Sequence, residues 1–407
     1  SNAILHTNSL TGTGSVTNEG KLSLDAKDGA APSFEVGTGG FTNKGTGSIL
    51  DASLVELTEV KGALVNEGTA KYQDMTIAAG ASSYNKGKEA FESGDLLTVS
   101  GTHTNEGTSV WSTGAVIEAD ASGTNSGSMT LGNTEEPDKG IFEIAGEFLN
   151  KGTEAVLNTL GVETTKAAGE LVNEGTAKYQ DMEIASGGSS YNKGENAYES
   201  GNLLTVSGTH TNEGTSIWNT GAVIEAGASG TNSGSMTLGN AEEPDKGIFE
   251  IAGEFLNKGV DAVLNALGVE TTKVTGEHIN EGTAKYQDME IASGGSSYNK
   301  GKDAYEEGNY LTVSGTHTNE GTSIWKNGYE VSDGAASSNS GSLDVDETFI
   351  IAGDFSNGQN GSVNAKDVET TVVTGSVVND AHAEYDDMTV KDGGSSVNNG
   401  FEQGDIL

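Results

Sequence analysis

Three tryptophans, Trp111, Trp218 and Trp325, and three histidines, His103, His210 and His317, recur at intervals of 107 residues in this chain of 407. An exposed indole stacks on sugar rings, and imidazole is a common metal ligand. Glu135, Glu136 and Asp138, copied at Glu242, Glu243 and Asp245, offer the oxygen ligands that Ca²⁺ takes in sets of six to eight. Threonine-rich stretches such as Thr102-His103-Thr104 raise a fourth chemistry, a flat ice-binding face.

Spacing argues against each. The tryptophans occupy a position that is apolar in coil after coil, which predicts buried core. If five coils of a stacked β structure separate them, the histidines stand about 24 Å apart along the axis. They cannot share a metal, and they read as isolated surface residues. The nonapeptide repeat of calcium-binding β-helices is missing, so Ca²⁺ stays possible without an assigned site, and no cofactor is implied. An ice-binding face would repeat its threonines on every coil, and here they recur on one coil in five.

Catalysis finds as little support. An enzyme site breaks a repeat with residues that occur once, yet nearly every acidic group has a copy 107 residues away. Glycoside hydrolysis needs a tuned carboxylate pair. All 21 basic residues are lysine, which excludes a lyase that uses arginine as its base. No catalytic, cofactor-binding or metal-binding residue is assigned, and the chain is read as no enzyme. A carbohydrate-active β-helix enzyme stays the rival that fold alone does not exclude.

The element that positions these residues is Asn-x-Gly, present from Asn18 to Asn398 about every twenty residues, with looser copies at Asn357 and Asn379. The spacings run 25, 23, 19, 20, 20 and repeat, so five coils make one superunit. Superunits lie near residues 66–172, 173–279 and a shortened 280–378, where the acidic loop has no counterpart. An unbroken repeat of about this length is the signature of a solenoid. Six residues after each anchoring Asn before the last stands an apolar side chain, from Leu24 and Ile49 through Phe91, Trp111, Val156, Tyr198, Val263 and Tyr305 to Tyr385, predicting one continuous inward stack. Apolar residues elsewhere alternate, as in Leu97-x-Val99, which is strand periodicity. Glycine supplies the positive φ of sharp corners, and stacked asparagines can bond one another along the axis. Between Asn and Gly, neighbouring coils carry opposite charges or a charge beside serine, as at Glu19, Lys44, Glu67 and Lys86, and never like charges. Opposite charges at about 4.8 Å favour parallel in-register stacking.

The expected fold is all-β: a right-handed parallel β-helix of about 19 coils, roughly 21 residues each, forming an elongated rod. Residues 4–407 are one solenoid. Ser1-Asn2-Ala3 reads as the scar of tag removal, and Gly404-Asp405-Ile406-Leu407 matches Gly94 to Leu97, which predicts a chain cut in mid-coil. A net charge of −39 makes nucleic acid an unlikely partner. No run reaches the ~18 apolar residues of a membrane span, and cysteine is absent.

Gly-x3-Asn-x-Gly-Thr, as at Gly101 to Thr108 and Gly208 to Thr215, resembles the β-helical passenger regions of bacterial surface adhesins, such as autotransporters. The resemblance covers the chain beyond the first three residues. It implies export, display at the bacterial cell surface, and attachment to a host glycan, a matrix protein or another copy of the chain. An inert matrix or surface-layer protein is the structural alternative.

Overall fold

A computed structural model describes residues 4–27 and 29–406. Ser1-Asn2-Ala3, read above as a scar, and Leu407, the end of the cut coil, lie outside the described residues. The chain falls into two compact units, Ser1–Gly201 and Asn202–Leu407, and each is a β-solenoid of parallel strands.

In the first unit the strands that end on the anchoring asparagines form one sheet. Ala63–Asn66 pairs with Ser82–Asn85, which pairs with Thr102–Asn105 and then Ser122–Asn125, always Asn beside Asn. The second unit repeats this from Thr209–Asn212 and Ser229–Asn232 to Ser376–Asn379 and Ser395–Asn398. Nine such strands in the first unit and ten in the second, among the described residues, match the expected coil number. After the turn each coil runs through two more strand segments. Thr69–Lys71 and Asp74–Ile77 both pair with Phe91–Val99, which in turn meets Thr108–Ile117 with a register shift between Gly94 and Leu96 where the chain corners.

The asparagine ladder is what fixes this register. Asn85 donates to the Oδ1 of Asn105 at 2.8 Å, and Asn105 donates to that of Asn125 at 2.8 Å. The loose copies belong to it too: Asn339 donates to Asn357, and Asn357 to Asn379, each at 2.8 Å. A second bond runs from each amide to the chain, as from Asn105 to the carbonyl of Ser128 at 3.0 Å. These side chains are buried, so their amides would be costly to leave unpaired, and the ladder satisfies them.

The inward stack differs from expectation in the lysine-bearing coils. Trp111, Leu131, Trp218, Leu238, Trp325 and Val345 are fully buried as expected, but Ile49, Val156 and Val263 are exposed, and Phe91, Tyr198 and Tyr305 half-buried. Asn-Lys-Gly coils carry three extra residues in the turn. Ile49 therefore pairs with Thr69 and Phe91 with Thr108, each three residues after its own Asn. The inward position moves on by one residue, to Leu50, Glu92, Leu157, Glu199, Leu264 and Glu306.

Glycine has two separate tasks in these turns. In lysine coils Gly87 has φ of 91° with open space around it, and the turn closes with Ala90 N–H on Gly87 O at 3.0 Å. In the next coil Gly107 has no positive φ. A Cβ there would lie 2.1 Å from the carbonyl oxygen of Ala90, so close approach of coils, not backbone twist, requires glycine.

Candidate functional site

Alternation outward from buried Asn105 dictates which neighbours face the core. Two residues earlier, His103 points inward in register between Ser83 and Gly123. His103, His210 and His317 are each only 1 % exposed. The expectation of surface histidines is therefore wrong: the period of two that places Asn inside places these rings inside as well.

In the first unit His103 meets a buried carboxylate. Its Nε2 lies 3.1 Å from Glu92 Oε1 without the alignment of a hydrogen bond. Ser109 donates its hydroxyl to the same Oε1 at 2.8 Å, and Trp111 donates its indole N–H to Ser109 at 2.8 Å. The ring of Tyr72 stacks on Trp111 at 6.1 Å, and burial holds the Tyr72 hydroxyl well above its usual pKa. The second unit repeats the cluster with Glu306, His317, Ser323 and Trp325 at 3.1, 2.7 and 2.8 Å. Glu199 in the first unit and His210, Ser216 and Trp218 in the second are the intervening copy by type.

Acid, imidazole and hydroxyl in one place suggest a hydrolytic triad, but the order of bonds is wrong. Nucleophilic catalysis needs the hydroxyl to give its proton to the imidazole, and here it gives it to the carboxylate. Each member is also shut away from solvent. The cluster ties three strand segments together and fixes the tryptophan. Sequence reasoning missed Glu92 and Glu306, because the three-residue turn insertion hides that they, and not the preceding aromatics, face inward.

The second unit has one further buried imidazole. His278 takes the place of Leu64 and Leu171, and its Nδ1 lies 3.3 Å from Phe255 O and its Nε2 2.5 Å from Tyr286 Oη. A carbonyl only accepts, so Nδ1 carries the proton and Nε2 accepts from the tyrosine. Burial pulls its pKa down to about 4.

The acidic loops are exposed. Each contains a short turn of 3₁₀ helix, Pro137–Lys139 and Pro244–Lys246, in which the lysine pairs with a loop glutamate: Lys139 with Glu136 at 2.6 Å and Lys246 with Glu243 at 2.7 Å. No three His, Asp or Glu side chains converge to hold a metal among the described residues. Thr102 and Thr104 face outward, but the column of Thr104 reads Val65, Tyr84, Thr104, Thr124, Leu149, Val172, Tyr191 and that of Thr102 reads Ala63, Ser82, Thr102, Ser122, Glu147, Glu170, Ser189, so neither is a uniform threonine array.

Outside, two columns behave differently. The Asn-x-Gly column is charge-matched: Lys44 meets Glu19 at 2.9 Å, Lys86 meets Glu67 at 3.2 Å, and Lys300 meets Glu281 at 3.0 Å. Glu67 also accepts from the N–H of Gly45 at 3.0 Å, and that bond first, then Lys86, lowers its pKa. On the outer face of the asparagine sheet, Glu147 instead stands in register beside Glu170, and Glu254 beside Glu277. Like charges at strand spacing repel. Each pair borders a shallow depression, lined by Ala121, Ser122, Gly146 and Gly169 in the first unit and by Ala228, Ser229, Gly253 and Gly276 in the second.

No protein-family model matches the chain, and no curated protein matches it. Among solved structures, the crystal structure of a TibC-catalyzed hyper-glycosylated TibA fragment aligns over 88 % of this chain and 96 % of its own, at 14 % identity and a TM-score of 0.28. No helix among the described residues is long and apolar enough to cross a membrane.

Proposed function

We propose that this chain is an extracellular, surface-displayed β-solenoid segment that serves as a stalk and attaches weakly, site by site, to an extended partner. The observation that carries the reading is the recurrence of one outer face. The depression beside Glu147 and Glu170 returns beside Glu254 and Glu277, one 107-residue period later. A copied weak site gains affinity only against a partner that is itself multivalent. The partners of that kind are a host-surface glycan, a matrix protein or a second copy of the chain. Net charge of −39 argues against nucleic acid.

The reading involves no catalysis. What supports this is the closure of the Glu92–His103–Ser109 cluster to solvent and the direction of its hydrogen bonds. Two assays of the purified chain test the proposal. Retention on arrays of glycans and matrix proteins separates attachment from an inert spacer, and absence of all retention would favour the spacer. A polysaccharide-degradation screen separates both from an enzyme, and turnover of any substrate would overturn the reading.

A further inference from the structure

His278 is a histidine in a core position that carries leucine in the equivalent coils of the first unit, Leu64 and Leu171. Its ring is wholly buried, with Phe255 and Ser297 as register neighbours above and below. Phe255 also packs its ring against the imidazole at 5.7 Å, and Tyr286 meets it edge-on at 6.1 Å. The titratable groups that face it are Tyr286, Glu306 and His317. Of these, Glu306 meets Ser323 and His317 through Oε1 alone, and its Oε2 makes no hydrogen bond.

We propose that His278 is an acid-sensitive switch in the second unit: protonating its ring opens the coils around Glu277–Asn280, a response that Leu64 and Leu171 deny to the first unit. The bonding makes the step disruptive. Nε2 now accepts from the Tyr286 hydroxyl. Once protonated it can only donate, so the bond to the buried tyrosine must reverse and Tyr286 must turn its own O–H away from the ring. A cation is also created in a core where the facing carboxylate, Glu306, makes no hydrogen bond to the ring, and burying charge without a direct partner is costly. Opening relieves both at once. Because each coil contacts only its neighbours, the opening stays local.

The sign follows from linkage. The unfolded ring takes its proton near 6.5, whereas the folded ring waits until about 4. Between those values the open state binds the proton and the closed state does not, so acid favours opening. The ratio of open to closed at Glu277–Asn280 should rise roughly 20-fold from pH 7 to pH 5. Each unit holds one such cluster, Glu92–His103 in the first and Glu306–His317 in the second, so His278 is what distinguishes the two.

Amide hydrogen exchange of the full chain at pH 7 and pH 5, corrected for intrinsic exchange rates, measures this. Protection at Glu277–Asn280 and Ser296–Asn299 should fall relative to Glu170–Asn173 and Ser189–Asn192, and His278→Leu should remove the difference. Leucine is already accommodated at the equivalent places, so that variant is expected to fold. Equal acid opening in the wild type and His278→Leu would overturn the proposal. So would an NMR titration of the folded protein that shows the His278 ring protonating near pH 6.5.

Discussion

Replacing Asn105 with alanine tests what holds the coils in register. The side chain is fully buried and belongs to four bonds: it accepts from Asn85 at 2.8 Å and donates to Asn125 at 2.8 Å, Ser128 O at 3.0 Å and Gly107 O at 3.2 Å. Truncation leaves Asn125 Oδ1 and the carbonyls of Ser128 and Gly107 without that donor. Asn85 keeps its bond to Thr108 O at 3.0 Å. At about 1–3 kcal/mol for each buried group left unmet, and two such groups on the ladder side, the loss is about 2–6 kcal/mol. The outer charge column provides the comparison. Lys86 and Glu67 remain 49 % and 29 % exposed, and Lys86→Ala should cost below about 1 kcal/mol, because water screens exposed pairs. Hydrogen exchange read strand by strand is the suitable assay, since a solenoid loses stability locally. Protection should collapse at Ser82–Asn85, Thr102–Asn105 and Ser122–Asn125 in Asn105→Ala and stay nearly unchanged in Lys86→Ala. Equal, small effects of the two would refute the claim that the buried amides, and not the outer charges, specify stacking.

Other expectations follow from the same geometry. Trp111→Ala should cost about 3–5 kcal/mol in its own and adjacent coils. The wild-type tryptophans should emit at short wavelength and resist a soluble quencher, whereas solvent-exposed emission would contradict their burial. Gly107→Ala should disrupt its coil severely, because the added methyl meets Ala90 O at 2.1 Å. Gly87→Ala, with open space but φ of 91°, should cost only the ~1–2 kcal/mol of left-handed backbone, and chemical denaturation of both variants ranks them. Glu67 has its pKa lowered by Gly45 N–H and Lys86, so its contribution is present above its ordinary value of 4.5 and fades as pH falls through the lowered one. A Glu67→Gln variant should erase that small acid-side loss in local hydrogen exchange.

Much of this fold is legible in the sequence, and most of what is not legible traces to a hidden shift of phase. Asn-x-Gly spacing reveals the ladder because each copy stands at the same corner, and even Asn357 and Asn379 are drawn in by their neighbours. Inward tryptophans follow from counting six residues past Asn. That count fails at Ile49, Phe91, Val156, Tyr198, Val263 and Tyr305, where a three-residue turn insertion resets the phase without altering the apolar character of the residue. The same hidden shift conceals Glu92 and Glu306, since a glutamate beside an aromatic reads as the solvent side of a strand. The buried histidines were within reach, because alternation from a buried Asn105 puts His103 inside. Residue type, which suggests a wet surface for His, competed with periodicity, and periodicity won. The glutamate pairs on the outer face show themselves only when register sets Glu147 beside Glu170, 23 residues away.

Dependence of binding on ligand density is the measurement that reaches the central claim most directly. The full chain would be passed over one glycan or matrix ligand at sparse and dense surface coverage, with the supernatant assayed for cleavage products. A surface that binds weakly through copied sites should be retained far longer at dense coverage, by ~10²-fold or more, and should release no products. Retention independent of density would contradict repeated weak attachment, and release of cleaved ligand would contradict the non-catalytic account altogether.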